Sequence, residues 1–257
     1  MANEQVSYHG NPNLKPLAYQ HDFTKEEIAE YVKCQKDPKY FIENYVKIVT
    51  LDKGLQPFKL FDCQKGKVDL IMENRKVILM EGRQQGKTVT AAACILHYTI
   101  FQEDKTVAIM ANKASAAREV LNRYQIMYEN LPLWMQQGVR VWNKGDVELE
   151  NNSKVLSAAT TASAIRGKSV NWLYIDEAAI IPNNIADEFF TSVYPTISAG
   201  ETTKILLTST PLGYNHFWKF WNEAEKKQNG FEHMFIPYYE IPGRDEKWLE
   251  EQKGLLG

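Results

Sequence analysis

The sequence predicts an α/β fold in which a mainly parallel central sheet is flanked by helices. Short apolar runs with strand character alternate with helical stretches through the middle of the chain, a pattern typical of parallel sheets covered on both faces. Two of these runs end in polar residues suited to holding an anion and a cation. A chain of 257 residues that is 44% hydrophobic can form the core that such a fold needs.

The first 56 residues are predicted to form an N-terminal arm and a small helical part. The arm, residues 1 to about 22, is polar and has no hydrophobic periodicity. Thr24 and Glu27 form a capping-box pattern that opens a first helix. A second helix is predicted over residues 38–45, with Pro38 at its first position.

The alternating pattern occupies residues 57–213. A helix that carries Phe61 and Ile71 precedes a strand beginning at Val77. We then predict helices over 89–101 and 114–129 and strands over 106–111, 139–142, 147–149, 154–158, 172–176 and 204–208.

Residues 214–257 follow a different pattern. An aromatic-rich helix precedes a strand predicted over 231–239 and a charged helix starting near Arg244. We expect this stretch to join the N-terminal helices in a small lid subdomain. Four aromatic side chains are expected to belong to the core, with a base-stacking platform as the alternative: Phe217, Trp218, Phe220 and Trp221.

Composition excludes several classes of protein. Thirty basic and 32 acidic residues give a formal net charge of −2, so any nucleic-acid contact would need a local basic patch. Three cysteines and five histidines form no metal-site or disulfide pattern, which favours a reducing cytosol. No apolar run is long enough to span a bilayer, and no signal-peptide pattern occurs at the start.

A phosphate-binding loop is predicted between the strand at Val77 and the next helix, formed by Gly82, Arg83, Gln84, Gln85, Gly86, Lys87 and Thr88. Backbone N–H groups and the helix dipole would bind an anion there. Lys87 would add a point charge for the outer phosphates, and Thr88 a hydroxyl for Mg²⁺. Glu81 stands where the usual motif has glycine, so the loop alone could be an ordinary helix start.

An acidic pair, Asp176 and Glu177, follows another buried strand. Asp176 would hold Mg²⁺, and Glu177 would orient and polarise a water molecule. The pair alone could be a helix cap. Together with the loop around Lys87 it predicts a P-loop NTPase of the ASCE, RecA-like type.

Hydroxyl side chains end the strand predicted over 204–208. Thr208, Ser209 and Thr210 would sense the γ-phosphate and relay its loss, or would simply satisfy backbone groups. Gln64 precedes the loop by one helix and is a candidate for reading the adenine edge, with a surface glutamine as the alternative.

Two arginines are further candidates. Arg83 could reach the γ-phosphate or pair with Glu177, or it could be a solvated surface residue. Arg166 lies in a loop before the strand that carries Asp176, where it could enter a neighbouring subunit's site, or contact DNA phosphate or solvent.

These segments together resemble the large terminase subunit of tailed bacteriophages, T4-like type. The likeness covers about residues 40–240 and rests on the Gln64 segment and on residues 82–88, 165–167, 173–182 and 207–213. The relaxed glycine position at the loop also fits that family. The resemblance implies catalytic roles for Glu177, Arg83 and Arg166 in hydrolysing ATP with Mg²⁺.

The resemblance also implies what the chain works with. In that family the ATPase drives double-stranded DNA into a capsid as a homo-oligomeric ring on the portal protein, with the small terminase subunit as a partner. We therefore expect it in the cytoplasm of the infected bacterial host and transiently at the procapsid portal, without membrane contact. The family's nuclease domain is expected to be absent, since no acidic triad for a two-metal nuclease follows, and we expect no DNA cleavage.

Two other interpretations stay open at this point. The first is a helicase-like or remodelling ATPase with the same core, which acts on nucleic acid outside packaging. The second is a non-catalytic assembly module that retains a vestigial site.

Overall fold

A computed structural model describes residues 7–161, 164–165, 167–198 and 200–256, with backbone alone at 193–198 and 255–256. The strands are β1 (Lys47–Thr50), β2 (Gly54–Pro57), β3 (Lys76–Glu81), β4 (Thr106–Ala111), β5 (Val139–Trp142), β6 (Asp146–Leu149), β7 (Lys154–Ala159), β8 (Trp172–Ile175), β9 (Lys204–Ser209) and β10 (Glu232–Ile236).

The helices are α1 (Lys25–Lys36), α2 (Pro38–Tyr45), α3 (Asp62–Glu73), α4 (Lys87–Phe101), α5 (Ala114–Glu129), α6 (Asn183–Ser198), α7 (His216–Glu225) and α8 (Glu246–Leu256). Two short 3₁₀ helices cover Ala178–Ile180 and Tyr238–Glu240. None of the helices in the described part of the chain is both long and apolar enough to cross a membrane.

Within the described residues, eight strands form a central sheet in the order β10–β3–β9–β8–β4–β7–β6–β5. The strands from β10 to β7 are parallel, whereas β6 and β5 are antiparallel at one edge. The predicted α/β class with a mainly parallel sheet is therefore confirmed. β1 and β2 pair as an antiparallel hairpin outside this sheet.

Parallel pairing brings the carboxyl ends of β3, β9 and β8 to the same side of the sheet, where these strands end. Met80 pairs with Ser209, and Ile175 pairs with Leu207. The segments that follow these three strands therefore leave the sheet side by side. Open parallel sheets bind ligands beside the carboxyl ends of their strands.

The sheet is buried on both faces because alternate side chains of its strands point in opposite directions. In β3, Val77 and Leu79 pack with the cluster that contains residues of α1 to α5. Ile78 packs with a second cluster, which contains residues of α6 and α7. The two clusters therefore pack on opposite faces of the sheet.

The N-terminal elements largely follow the predictions. The Thr24 side chain accepts a hydrogen bond from the Glu27 N–H, and the Glu27 carboxylate accepts one from the Thr24 N–H, so the capping box is confirmed. Leu14, in the expected arm, is buried, and the Lys15 carbonyl accepts a hydrogen bond from the Val139 N–H. The hairpin of β1 and β2 and the helix α6 were not predicted.

β10 lies in the central sheet, parallel to β3, although we expected the core to end at residue 213. The sheet extends further because β10 pairs its backbone with the outer edge of β3. Phe217 and Trp221 of α7 are buried, which confirms the core interpretation for these two aromatics, whereas Trp218 is 44% exposed. A lid subdomain separate from the core stays a prediction.

Candidate active site

The predicted phosphate loop connects β3 to α4. Gly86, at the start of α4, has φ +84°, a left-handed conformation that favours glycine. The Gln85 side chain folds back within the loop, where its Oε1 accepts a hydrogen bond of 2.6 Å from the Gly82 N–H. Gln84 also has a positive φ, +58°, which is costly for a residue with a side chain. The loop is therefore a tight turn at the N-terminus of a long buried helix.

Lys87 connects this loop to the acidic pair. Its Nζ lies 2.7 Å from Oε1 of Glu177, and the lysine is only 6% exposed. The pairing with Glu177 that we considered for Arg83 is thus made by Lys87, while the Arg83 side chain is exposed. The aliphatic part of the Lys87 side chain is therefore buried, and its ammonium contacts the Glu177 carboxylate.

Asp176 is held at both of its oxygens. Thr88 Oγ1 donates to Oδ2 at 3.0 Å, and Thr208 Oγ1 donates to Oδ1 at 2.9 Å. The Tyr174 hydroxyl lies 3.2 Å from Thr208 Oγ1, and burial raises the pKa of Tyr174. A hydroxyl from the loop and a hydroxyl from β9 thus meet on one carboxylate.

Glu177 contacts the other two hydroxyl residues of the predicted trio. Its Oε2 lies 3.3 Å from both the N–H and the Oγ1 of Thr210, and 3.4 Å from Oγ of Ser209. Ser209 Oγ also accepts a hydrogen bond of 3.0 Å from the Ala179 N–H. The structure therefore brings Thr208, Ser209 and Thr210 onto the acidic pair, where a response to phosphate could be transmitted.

Gln64 lies against the phosphate loop. Its Oε1 accepts a hydrogen bond of 3.0 Å from the Phe61 N–H, and the residue is 3% exposed. A Cβ atom added at Gly86 would lie 2.4 Å from Gln64 Nε2, so any larger residue there would displace the Gln64 amide in addition to straining the backbone at a positive φ. Arg166, the remaining candidate, lies outside the described residues.

One buried ion pair was not predicted from the sequence. Lys67 Nζ lies 2.7 Å from Oε2 of Glu81, and neither side chain is exposed. Burial raises the pKa of the Glu81 carboxyl, while the Lys67 ammonium opposes that rise. Glu81 Oε1 has no hydrogen-bond partner among the described residues. Glu81 at the usual glycine position was a signal that this loop is unusual, but nothing in the sequence marks Lys67 as its partner.

Arg244 was also missed. Its guanidinium donates to the backbone carbonyls of Arg83 and Gln84 in the phosphate loop. No local pattern in the sequence indicates this contact, because the two segments are distant in the chain. Its charge and its neighbour Trp248 could have suggested only an ordinary surface arginine.

The residues present fit a metal-bound nucleotide. A threonine hydroxyl and a single carboxylate, beside a phosphate loop, match the way Mg²⁺ is held by few protein ligands and by substrate phosphates. Among the described residues no group of three or more His, Cys, Asp or Glu could hold a metal without such help. Thr88 and Asp176 would hold the ion, while Lys87 and the loop N–H groups would hold the phosphates.

Comparisons with known proteins indicate the family and the fold. Residues 78–254 match the family described as "Terminase large subunit, T4likevirus-type, N-terminal". The large terminase of bacteriophage HK97 superimposes with a TM-score of 0.63 at 18% identity, covering 82% of this chain and 45% of that one. This chain therefore spans less than half the length of that relative.

Two further terminases have the same fold. The large terminase ATPase domain of Thermus phage P74-26 gives a TM-score of 0.60 at 19% identity, covering 76% of this chain and 88% of that domain. The large terminase of another thermophilic bacteriophage, in complex with ADP, gives 0.59 at 11% identity, covering 77% and 50%. That last terminase is also known in complex with ATP-γ-S. Because the family match covers well over half of the sequence, the chain belongs to the T4-like type of terminase large subunits, in their N-terminal region.

Proposed function

We propose that this chain hydrolyses ATP, with Mg²⁺, to drive double-stranded DNA into a viral capsid. One observation carries the enzymatic part of the proposal. The phosphate loop and the acidic pair are in direct contact: Lys87 Nζ lies 2.7 Å from Glu177 Oε1, and Thr88 Oγ1 lies 3.0 Å from Asp176 Oδ2. Family membership supports the packaging part.

The Lys87–Glu177 ion pair gives the site an order of events. A triphosphate in the loop competes with Glu177 for the Lys87 ammonium. Once Lys87 turns to the phosphates, Glu177 keeps its contacts with Thr210 and becomes free to accept a proton. Water then attacks the γ-phosphorus, Glu177 takes the proton, and ADP leaves with the electrons of the broken P–O bond. Nucleotide binding thus releases the base.

The remaining residues have supporting roles in this proposal. Mg²⁺, when bound, would neutralise charge on the phosphate oxygens. Thr88 and Asp176 are already positioned by their mutual hydrogen bond to hold it. Gln64, against Gly86, would read the adenine edge, and Arg83 would stabilise charge on the transferred phosphoryl group. Arg166 would act in the same way from a neighbouring subunit.

The packaging role extends to partners. We propose a homo-oligomeric ring assembled on the portal protein, with the small terminase subunit delivering double-stranded DNA, in the cytoplasm of the infected bacterium. The support is the family match alone, and the relatives that share the fold are mostly longer than this chain. Strand separation of a forked duplex, without portal or capsid, would favour a helicase-like function instead.

The test is the variant Glu177→Gln. The amide retains the size and the contact with Thr210 but cannot accept the proton, so we expect kcat to fall at least about a hundredfold. Binding of Mg²⁺-ATP should persist, because Lys87 loses only its competing partner. Steady-state phosphate release and calorimetry measure the two quantities.

Glu225→Gln is the matched control, since Glu225 is an exposed glutamate on α7. It should hydrolyse ATP at the rate of the unmodified chain. Near-normal hydrolysis by Glu177→Gln would overturn the proposed role of that residue.

A further inference from the structure

Arg244 reaches the phosphate loop from the C-terminal part of the chain. It lies between the 3₁₀ helix Tyr238–Glu240 and α8. Its Nη2 donates to the Gln84 carbonyl at 2.8 Å, and its Nη1 donates to the Arg83 carbonyl at 3.3 Å. One planar guanidinium therefore holds two successive carbonyls of the loop.

The guanidinium is itself supported. Its central carbon lies 4.9 Å from the centre of the Trp248 ring, and that ring stacks on Tyr238 with an angle of 24° between the planes. A cation over an aromatic face is attracted by the ring. The position of the Arg244 head group is thus fixed from behind by α8 and by the segment before it.

Holding these carbonyls also fixes the direction of two N–H groups. In a planar trans peptide the N–H points opposite to the C=O of the same unit. The Gln84 N–H shares a peptide plane with the Arg83 carbonyl, and the Gln85 N–H shares one with the Gln84 carbonyl. Arg244 therefore sets the orientation of both units, around a residue whose φ of +58° needs support from its surroundings.

We propose that Arg244 is a positioning residue for phosphate binding, which orients the Gln84 and Gln85 peptide units of the loop by holding their carbonyl sides. This inference deepens the proposed function and rests on it. It also makes the C-terminal segment responsive to the loop, because a change of either peptide unit on phosphate binding alters the contacts of Arg244. The residue touches no substrate atom in this role.

The experiment measures binding of Mg²⁺-ATP and of Mg²⁺-tripolyphosphate by calorimetry. Tripolyphosphate has no nucleoside, so it reports on the loop alone. Arg244→Ala should lower the affinity for both ligands by the same factor, about tenfold, as expected for the loss of two hydrogen bonds from a charged donor. Arg244→Lys should bind both ligands with at least about threefold lower affinity than the unmodified chain, because an ammonium lacks the planar pair of donors.

Lys253→Ala is the matched control, since Lys253 pairs with Glu250 on the exposed face of α8. It should bind both ligands like the unmodified chain. Thermal unfolding without ligand tests whether the Arg244 variants stay folded. If Arg244→Ala does not fold, the binding comparison is made with Arg244→Lys.

Three results would overturn the inference. Unchanged binding in both Arg244 variants would show that the contact does not position the loop. Loss of ATP binding with unchanged tripolyphosphate binding would move Arg244 to the nucleoside. Failure of the unmodified chain to bind either ligand would refute the proposed function itself, and with it the role of Arg244.

Discussion

At the scale of single residues, the site is organised around Asp176, whose two oxygens accept from Thr88 and Thr208. A carboxylate that accepts a hydrogen bond at each oxygen cannot rotate freely. Its orientation is therefore set before a metal ion binds. Thr208 also neighbours the Tyr174 hydroxyl. This chain of hydroxyls links the end of β9 to the metal position.

Thr208→Val tests that link. Valine has nearly the same shape but no hydroxyl, so Asp176 loses one donor in a buried position. We expect the free energy of unfolding to fall by about 1–3 kcal/mol. We also expect ATP turnover to fall, because Asp176 is less firmly oriented. Urea denaturation and steady-state phosphate release measure these quantities.

Thr208→Ser keeps the hydroxyl and is the matched control for the valine variant. It should retain most of the activity. If the valine and serine variants hydrolysed ATP equally well, the hydroxyl would have no part in positioning Asp176.

Individual site residues can be predicted from the sequence when they belong to a short local motif. Lys87, Thr88, Asp176 and Glu177 could be assigned because each follows a strand in a recognisable order. Lys67 could not, since a lysine is rarely buried and nothing adjacent to it marks a partner. The two hydrogen bonds from the C-terminal arginine to the loop carbonyls likewise depend on the folding of distant segments.

At the scale of elements, the decisive arrangement is the insertion of β9 between β3 and β8. The sequence predicts each of these strands but not their neighbours, because strand order is set by long-range packing. The hairpin of β1 and β2 escaped prediction because its strands have four residues each and are mostly exposed. α6 escaped because Pro195 lies within it, and an internal proline normally disfavours a helix.

α3 contacts the phosphate loop region twice from one face. Gln64 lies against Gly86, and Lys67, three residues later, pairs with Glu81 at the end of β3. Residues three apart share a helix face, so one rigid helix supports both ends of the loop. The glutamate at the usual glycine position thus has a structural partner.

Lys67→Met tests this support. It leaves the Glu81 carboxylate buried without its cation, so we expect the free energy of unfolding to fall by about 3–5 kcal/mol. The double variant Lys67→Met with Glu81→Leu removes both charges and should recover much of that loss. Urea denaturation of the single and double variants forms a double-mutant cycle. Strict additivity of the two single changes would contradict an energetic coupling of the pair.

At the scale of the whole molecule, one sheet joins the parts of the site. Hydrophobic clusters pack on its two faces, and the loops that follow β3, β8 and β9 carry the residues proposed to hold phosphate and metal and to act as the base. Arg244 adds a contact from the last part of the chain to the same loop. A change in the loop would therefore alter the contacts of the C-terminal segment, as the proposed coupling of ATP hydrolysis to movement requires.

In the proposed function, the phosphate loop and the acidic pair bind one Mg²⁺-nucleotide together. A crystal structure with Mg²⁺ and a nonhydrolysable ATP analogue would show whether they do. We expect the phosphates to contact the N–H groups of the loop, Thr88 and Asp176 to hold the metal, and Lys87 to have left Glu177 for the phosphates. An analogue bound elsewhere, or a Lys87–Glu177 pair that stays intact while the analogue is bound, would contradict it.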